Sequence, residues 1–164
     1  MAETRDAATF SRCGTYRYQL ARDVSMVGAG WALFIMLNPS TADASCDDPT
    51  VRRCMGFAQS WGCRGVEVAN LFALRATDPR ALRHHSDPVG PENDQWIRRI
   101  VRRSDLVVCA WGAHGAYRDR WYHVNQLLTE EDASPLALGI TAHGQPRHPL
   151  YLPRQVRPAP WGVL

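Results

Sequence analysis

Trp31-Ala-Leu-Phe-Ile-Met-Leu-Asn-Pro-Ser-Thr41 is the stretch that decides the architecture. Residues 32–37 are apolar without a break. So short a continuous run reads as a strand buried on both faces rather than a half-exposed one. Pro39 cannot donate to a sheet ladder and ends it. Asn38 is therefore predicted at the carboxyl end of a central strand, the edge of an open α/β sheet where ligands bind. Its amide can orient a water or read the edge of a base there; it can also simply cap the turn.

Outward from this strand the pattern alternates between strands and helices. Before it, Thr15-Tyr-Arg-Tyr-Gln-Leu20 alternates polar and apolar and reads as an outer strand. After it, Asp47-Asp48-Pro49 opens a helix, with acidic side chains at the N-cap and proline in the first turn. That helix is predicted to run to about Trp61, where Gly62 supplies a stop. Val66-Glu-Val-Ala-Asn-Leu-Phe72 is a second strand. A long connection rich in turn residues follows, and residues 93–103 form an amphipathic helix. Leu106-Val-Val-Cys-Ala110, a helix over 117–129 and a short strand at Leu136-Ala-Leu138 complete the series. The alternation predicts an α/β fold: three layers, α/β/α, around a mostly parallel sheet of about four strands. Residues 1–12 are expected to be a loose segment and 13–164 a single domain, which suits a chain of 164 residues.

Composition narrows the function classes. The formal charge of +3 is too small to identify a nucleic-acid partner, yet all nineteen basic residues are arginine. Arginine suits bidentate contacts with phosphates and bases. A GC-rich genome would also produce that bias. No apolar run approaches the roughly 18 residues of a membrane span, so no membrane partner is expected. The mixed charge of Met1-Ala-Glu-Thr-Arg-Asp6 holds no apolar leader, so a cytoplasmic location is expected. Five cysteines without a CxxC pair are expected to be reduced thiols.

Four loops are predicted to converge on one sheet edge: Asn38-Pro39-Ser40, Asn70-Leu71-Phe72, Trp111-Gly112 and Arg147-His148-Pro149. Their order resembles the motifs of the uracil-DNA glycosylase superfamily, with an Asp-Pro or Asn-Pro motif, a strand ending in Asn, and a late His-Pro. Nearly the whole chain also resembles a bacterial and phage family known as domain of unknown function 1643. The resemblance is carried by Met36-Leu-Asn-Pro-Ser-Thr-Ala-Asp43, Asp47-Asp-Pro-Thr-Val-Arg-Arg53, Asn70-Leu-Phe72, Arg75-Ala-Thr-Asp-Pro79, Asp87-Pro-Val-Gly-Pro-Glu-Asn-Asp94, Ala110-Trp-Gly112 and His148-Pro-Leu-Tyr151.

The glycosylase resemblance implies a fold like that of uracil-DNA glycosylase. It also implies a nucleobase-recognising, glycosylase-like protein that acts on an extruded or 5-modified pyrimidine in DNA. His148 would donate to the base oxygen and Asn38 would hold the water, as the catalytic pair. Ser40, Asn70, Phe72 and Trp111 would contact the base, with Asn70 offering a donor and an acceptor and the aromatics a stacking face. Gly112, Gly115, Arg147, Leu150, Tyr151 and Arg154 would meet the nucleic acid. In that set the glycine loop cradles a phosphate and residues 150–152 wedge into the gap left by the base.

The sequence departs from the superfamily at two positions. Asn38 stands where the fastest branch has a general-base Asp, so turnover is expected to be slow or absent. Ser40 stands where that branch has a Tyr, which leaves room for a 5-substituent. Two alternatives remain: a non-catalytic nucleic-acid or modified-base sensor, and a metal-dependent enzyme on nucleotides using Asp43, Asp47 and Asp48. Asp47 and Asp48 also suit helix capping, and no resident cofactor or metal is expected. Cys13, Cys46, Cys54 and Cys63 do not match iron–sulfur spacings. His84, His85 and Asp87 form a loop trio better explained by solvation. Oligomeric state is not legible.

Overall fold

A computed structural model describes residues 6–162. Its chain order is β1 (Ala7–Phe10), β2 (Arg17–Asp23), β3 (Trp31–Met36), α1 (Pro49–Ser60) and β4 (Gly65–Asn70), followed by α2 (Asn93–Arg102), β5 (Leu106–Cys109), α3 (Arg120–Glu130), β6 (Leu136–Ala137) and β7 (Ala159–Pro160). Short 3-10 turns occupy Pro79–His84, Ala113–Asp119 and Pro149–Tyr151. Among the described residues no helix is long and apolar enough to cross a membrane.

The expected sheet of about four mostly parallel strands is corrected by this topology. A single sheet of seven strands runs in the order β1-β2-β4-β3-β5-β6-β7. The pairs β4–β3, β3–β5 and β5–β6 are parallel. The pairs β1–β2, β2–β4 and β6–β7 are antiparallel, so the sheet is mixed. For β1–β2 the physical reason is chain length. A parallel crossover needs a dozen or more residues, usually a helix, and only a short turn joins β1 to β2. The added strands also carry weak local signals. β1 lies within the segment expected to be loose, of which residues 1–5 fall outside the described residues. β7 is Ala159-Pro160, and proline fits a strand only at an edge such as this one.

β2 is consequently an interior strand. Its register pairs Phe10 with Arg17 on one side and Leu20 with Val68 on the other. Arg17, Gln19 and Arg22 are all buried. The helices cover both faces of the sheet. Val51, Cys54, Phe57 and Ala58 of α1 pack with Ala32, Phe34 and Met36. Ile97, Ile100, Val124 and Leu128 of α2 and α3 pack with Leu33 and Ile35. The Asp48 carboxylate caps α1 by accepting from Val51 N–H at 2.8 Å, and Gly62 ends it with φ +79°. The helix expected over 117–129 begins only at Arg120. Arg118 and Asp119 take φ of +54° and +52° there, a left-handed kink that non-glycine residues adopt at a cost.

Candidate functional site

β3 lies between β4 and β5, and the connection leaves it first to one side and then to the other. The carboxyl ends at such a reversal flank a crevice. A pocket of about 700 Å³ opens at that edge. Its walls come from Met36, Leu37, Asn38 and Ser40 after β3, Asn70 at the end of β4, and Trp111 and Gly112 after β5. Asp48, Val51 and Cys54 of the α1 region add a further wall, and Arg147, His148, Leu150 and Tyr151 close it from the late loop.

Backbone hydrogen bonds put the late loop there. Gly112 N–H donates to Pro146 O at 2.8 Å and Arg147 N–H to Gly139 O at 2.9 Å. The indole of Trp111 donates to Gln145 Oε1 at 2.8 Å. From the other side, the Arg53 guanidinium donates to the carbonyls of Pro149 and Leu152, which ties the His148 turn to α1.

Asn70 is the most exacting residue of the wall. It is 1% exposed, and neither its Oδ1 nor its Nδ2 has a hydrogen-bond partner. A buried polar atom left unmade costs about 1–3 kcal/mol. The backbone around it is nonetheless pinned. Asn93 Nδ2 donates to Asn70 O at 2.9 Å and Leu71 O at 3.1 Å, and Arg120 Nε donates to Leu71 O at 2.8 Å. Asp94 in turn accepts from Arg120 at 2.5 Å. The strand end is therefore rigid while its side-chain amide is unspent.

Asn38 is used differently. Its Nδ2 donates to Ala76 O at 2.8 Å and Pro39 O at 3.1 Å, so the amide braces the Asn-Pro turn. Asn38 also lines the pocket. Ser40 lines the same wall, half-buried.

His148 is half-buried, and its Nδ1 accepts from Leu150 N–H at 3.2 Å. Burial lowers its pKa from the ordinary 6.5, against an opposing pull from Asp48. The ring is thus neutral at pH 7. With Nδ1 occupied as an acceptor, its single proton sits on Nε2.

Arg17, which sequence reading passed over, also lines the pocket. Its guanidinium donates to Ala42 O at 3.0 Å, while Nε has no partner. Burial brings its pKa down to about 10, with Asp48 pulling the other way. Arg17 alternates with Tyr16 and Tyr18, so it reads as the solvent side of an edge strand. The connection from β3 to α1 covers that face: the guanidinium reaches Ala42 O in it and shares the pocket wall with Asn38, Ser40 and Asp48.

Asn38, Ser40, Asn70, Trp111, Gly112, Arg147, His148, Leu150 and Tyr151 therefore share one pocket. Three other candidates do not line it. Phe72 is fully buried in the core against Tyr117, with ring centroids 5.7 Å apart, which leaves no face for a base. Gly115 is buried; a Cβ there would come within 2.0 Å of Trp111 Cδ1, so its smallness serves packing. Arg154 is exposed. Trp111 is a wall rather than a platform, since it is 1% exposed and packs edge-on against Trp161. Tyr151 is 84% exposed at the rim, where an apolar wedge would have to stand.

No group of three or more potential metal ligands occurs among the described residues. Asp43 accepts from the backbone of Ser45 and Cys46, Asp47 pairs with Arg22 at 2.8 Å, and Asp48 caps α1, so the three aspartates form no ligand set.

Residues 17–150 match the family described as "Protein of unknown function (DUF1643)". The chain belongs to the DUF1643 family. The matched span holds every pocket-lining residue of this DUF1643 protein except Tyr151 and Leu152. No curated protein and no solved structure matches it.

Proposed function

We propose that this DUF1643 protein recognises a nucleobase in the pocket and acts, as a glycosylase-like protein, on an extruded or 5-modified pyrimidine in DNA. The observation that carries the reading is the Asn70 amide, buried with both polar atoms unpartnered on the pocket wall. An acceptor and a donor side by side complement the N3–H and O4 of uracil or thymine. A site built this way rejects ligands that leave its polar atoms unpaired. The motif order Asn38-Pro39, Asn70, His148-Pro149, which resembles that of the uracil-DNA glycosylase superfamily, supports the same reading.

The chemistry follows from the side chains. When the bond between C1′ and the base nitrogen breaks, its electron pair leaves with the base and the sugar is left cationic. Nε2–H of His148 donates to the base oxygen as negative charge builds there. A water that donates to Asn38 Oδ1 attacks C1′ and releases its proton to solvent. Asn38 cannot take that proton, because an amide is no base at neutral pH. Turnover is therefore slow. The same fact favours a second reading, in which the pocket senses a modified base without cleaving it.

Abasic-site formation on duplex and single-stranded oligonucleotides carrying uracil, thymine mismatches and 5-modified pyrimidines tests the enzyme. Cleavage that His148→Ala reduces by about 10²–10³ supports it, the loss seen when one such donor is removed. Salt-sensitive DNA binding without cleavage supports the sensor. If no free base, nucleoside or oligonucleotide binds, both readings fail.

A further inference from the structure

Four charged residues are buried among the described residues: Arg17, Arg22, Glu67 and Arg120. Three of them have an opposite charge in contact. Arg22 meets Asp47 at 2.8 Å, Glu67 meets Arg103 at 2.8 Å, and Arg120 meets Asp94 at 2.5 Å. Arg17, 3% exposed, makes no ion pair. It has one carbonyl, that of Ala42, and an Nε without a partner. A buried charge is costly unless paired and hydrogen-bonded, and in this protein the exception is the one that lines the pocket. Asp48 also lines the pocket but spends one oxygen on the α1 cap and does not reach Arg17.

Resting on the nucleobase reading, we propose that the pyrimidine taken by the pocket carries an anionic oxygen group, a carboxylate or a phosphate, that sits on the Arg17 guanidinium. The free Nε and the remaining N–H groups offer the forked donor geometry that carboxylates and phosphates accept. Ser40, with a small side chain, lines the same pocket. Two sources share this chemistry, a carboxylate on the ring at the 5-position and the phosphate of the nucleotide itself.

Isothermal titration calorimetry with three probes separates them: 2′-deoxyuridine, 5-carboxy-2′-deoxyuridine and 2′-deoxyuridine 5′-monophosphate. One of the two anionic probes is expected to bind the wild-type protein about tenfold or more tighter than the neutral nucleoside, and which one gains identifies the source. In Arg17→Gln, which keeps a donor for Ala42 O, the anionic-to-neutral ratio is expected to fall to within about twofold of unity. Neutral binding with no anionic gain overturns the proposal and leaves the nucleobase reading standing. An anionic gain that survives in Arg17→Gln also overturns it, because the charge is then read elsewhere. Absence of binding by all three overturns both. Should Arg17→Gln fail to fold, Arg147→Gln at the other arginine of the pocket decides: an anionic gain kept there supports Arg17 as the reader, and one lost there overturns the proposal.

Discussion

Replacing Asn70 by leucine should make the free protein more stable and end base binding. Polar-to-apolar changes at a fully buried strand position usually destabilise, because they orphan the hydrogen-bond partners of the lost group. Asn70 has no such partners to orphan: both amide atoms are unpartnered, and its backbone carbonyl is held by Asn93 whatever the side chain. The substitution removes two unmade polar atoms at about 1–3 kcal/mol each. Against this stands the strain of a differently shaped side chain, typically below about 1.5 kcal/mol for a near-isosteric swap. The net expectation is a gain of about 0.5–5 kcal/mol. At about 2–4 °C per kcal/mol for a domain of this size, Tm rises by several degrees. Thermal and urea unfolding monitored by circular dichroism, run without ligand, measure it, and calorimetry with pyrimidine nucleosides measures the lost binding. A variant with native circular dichroism and about 1 kcal/mol less stability than wild type would refute the reasoning, since the amide would then be satisfied in the free protein and not held for a ligand.

Three further outcomes follow from the same geometry. The imidazole of His148 should titrate below its ordinary 6.5, with its proton on Nε2, both visible by nitrogen-15 correlation NMR. Because the unfolded chain takes up that proton first, its stabilising contribution is complete above pH 6.5 and fades as pH falls through the depressed folded value, so a stability slope of the opposite sign refutes the assignment. Ser40→Tyr should fill the space beside the ring, abolish binding of 5-substituted pyrimidines and spare uracil; equal loss of both in competition binding would place Ser40 away from the 5-position. Asn93→Asp puts a carboxylate against the carbonyls of Asn70 and Leu71, so chemical denaturation should show a loss of about 1–3 kcal/mol or more, and unchanged stability would mean that the Asn93 bonds do not hold the strand end.

What could be read from the sequence was local. The end of β3 at Asn38-Pro39, the α1 start at Asp48-Pro49 and the Gly62 stop are written in residues a few positions apart. Strand number was not, because β7 is two residues long and β1 four, too short for any periodicity. Their pairing is decided by what lies beside them. The burial of Arg17 was illegible because residues 25 and more positions away fold over it, and the core placement of Phe72 could not be separated from a stacking role by residue type alone.

Segments 47–53 and 87–94, two of the stretches that carry the family resemblance, brace the pocket wall. Asn93 and Asp94 act on the Asn70 strand end, directly and through Arg120. Arg53 acts on the turn that carries His148. Side chains from α1, α2 and α3 thus brace the backbone beside Asn70 and His148, two residues of the pocket wall, from outside the pocket. Precise placement of this kind matters only if something must fit between those groups. The unspent Asn70 amide and the unpaired Arg17 charge are costs the free chain carries at that same spot. Unpartnered buried atoms also occur at Tyr18, Trp61 and Asn93, but Asn70 and Arg17 are the ones that line the pocket, where such costs fit the proposed ligand site.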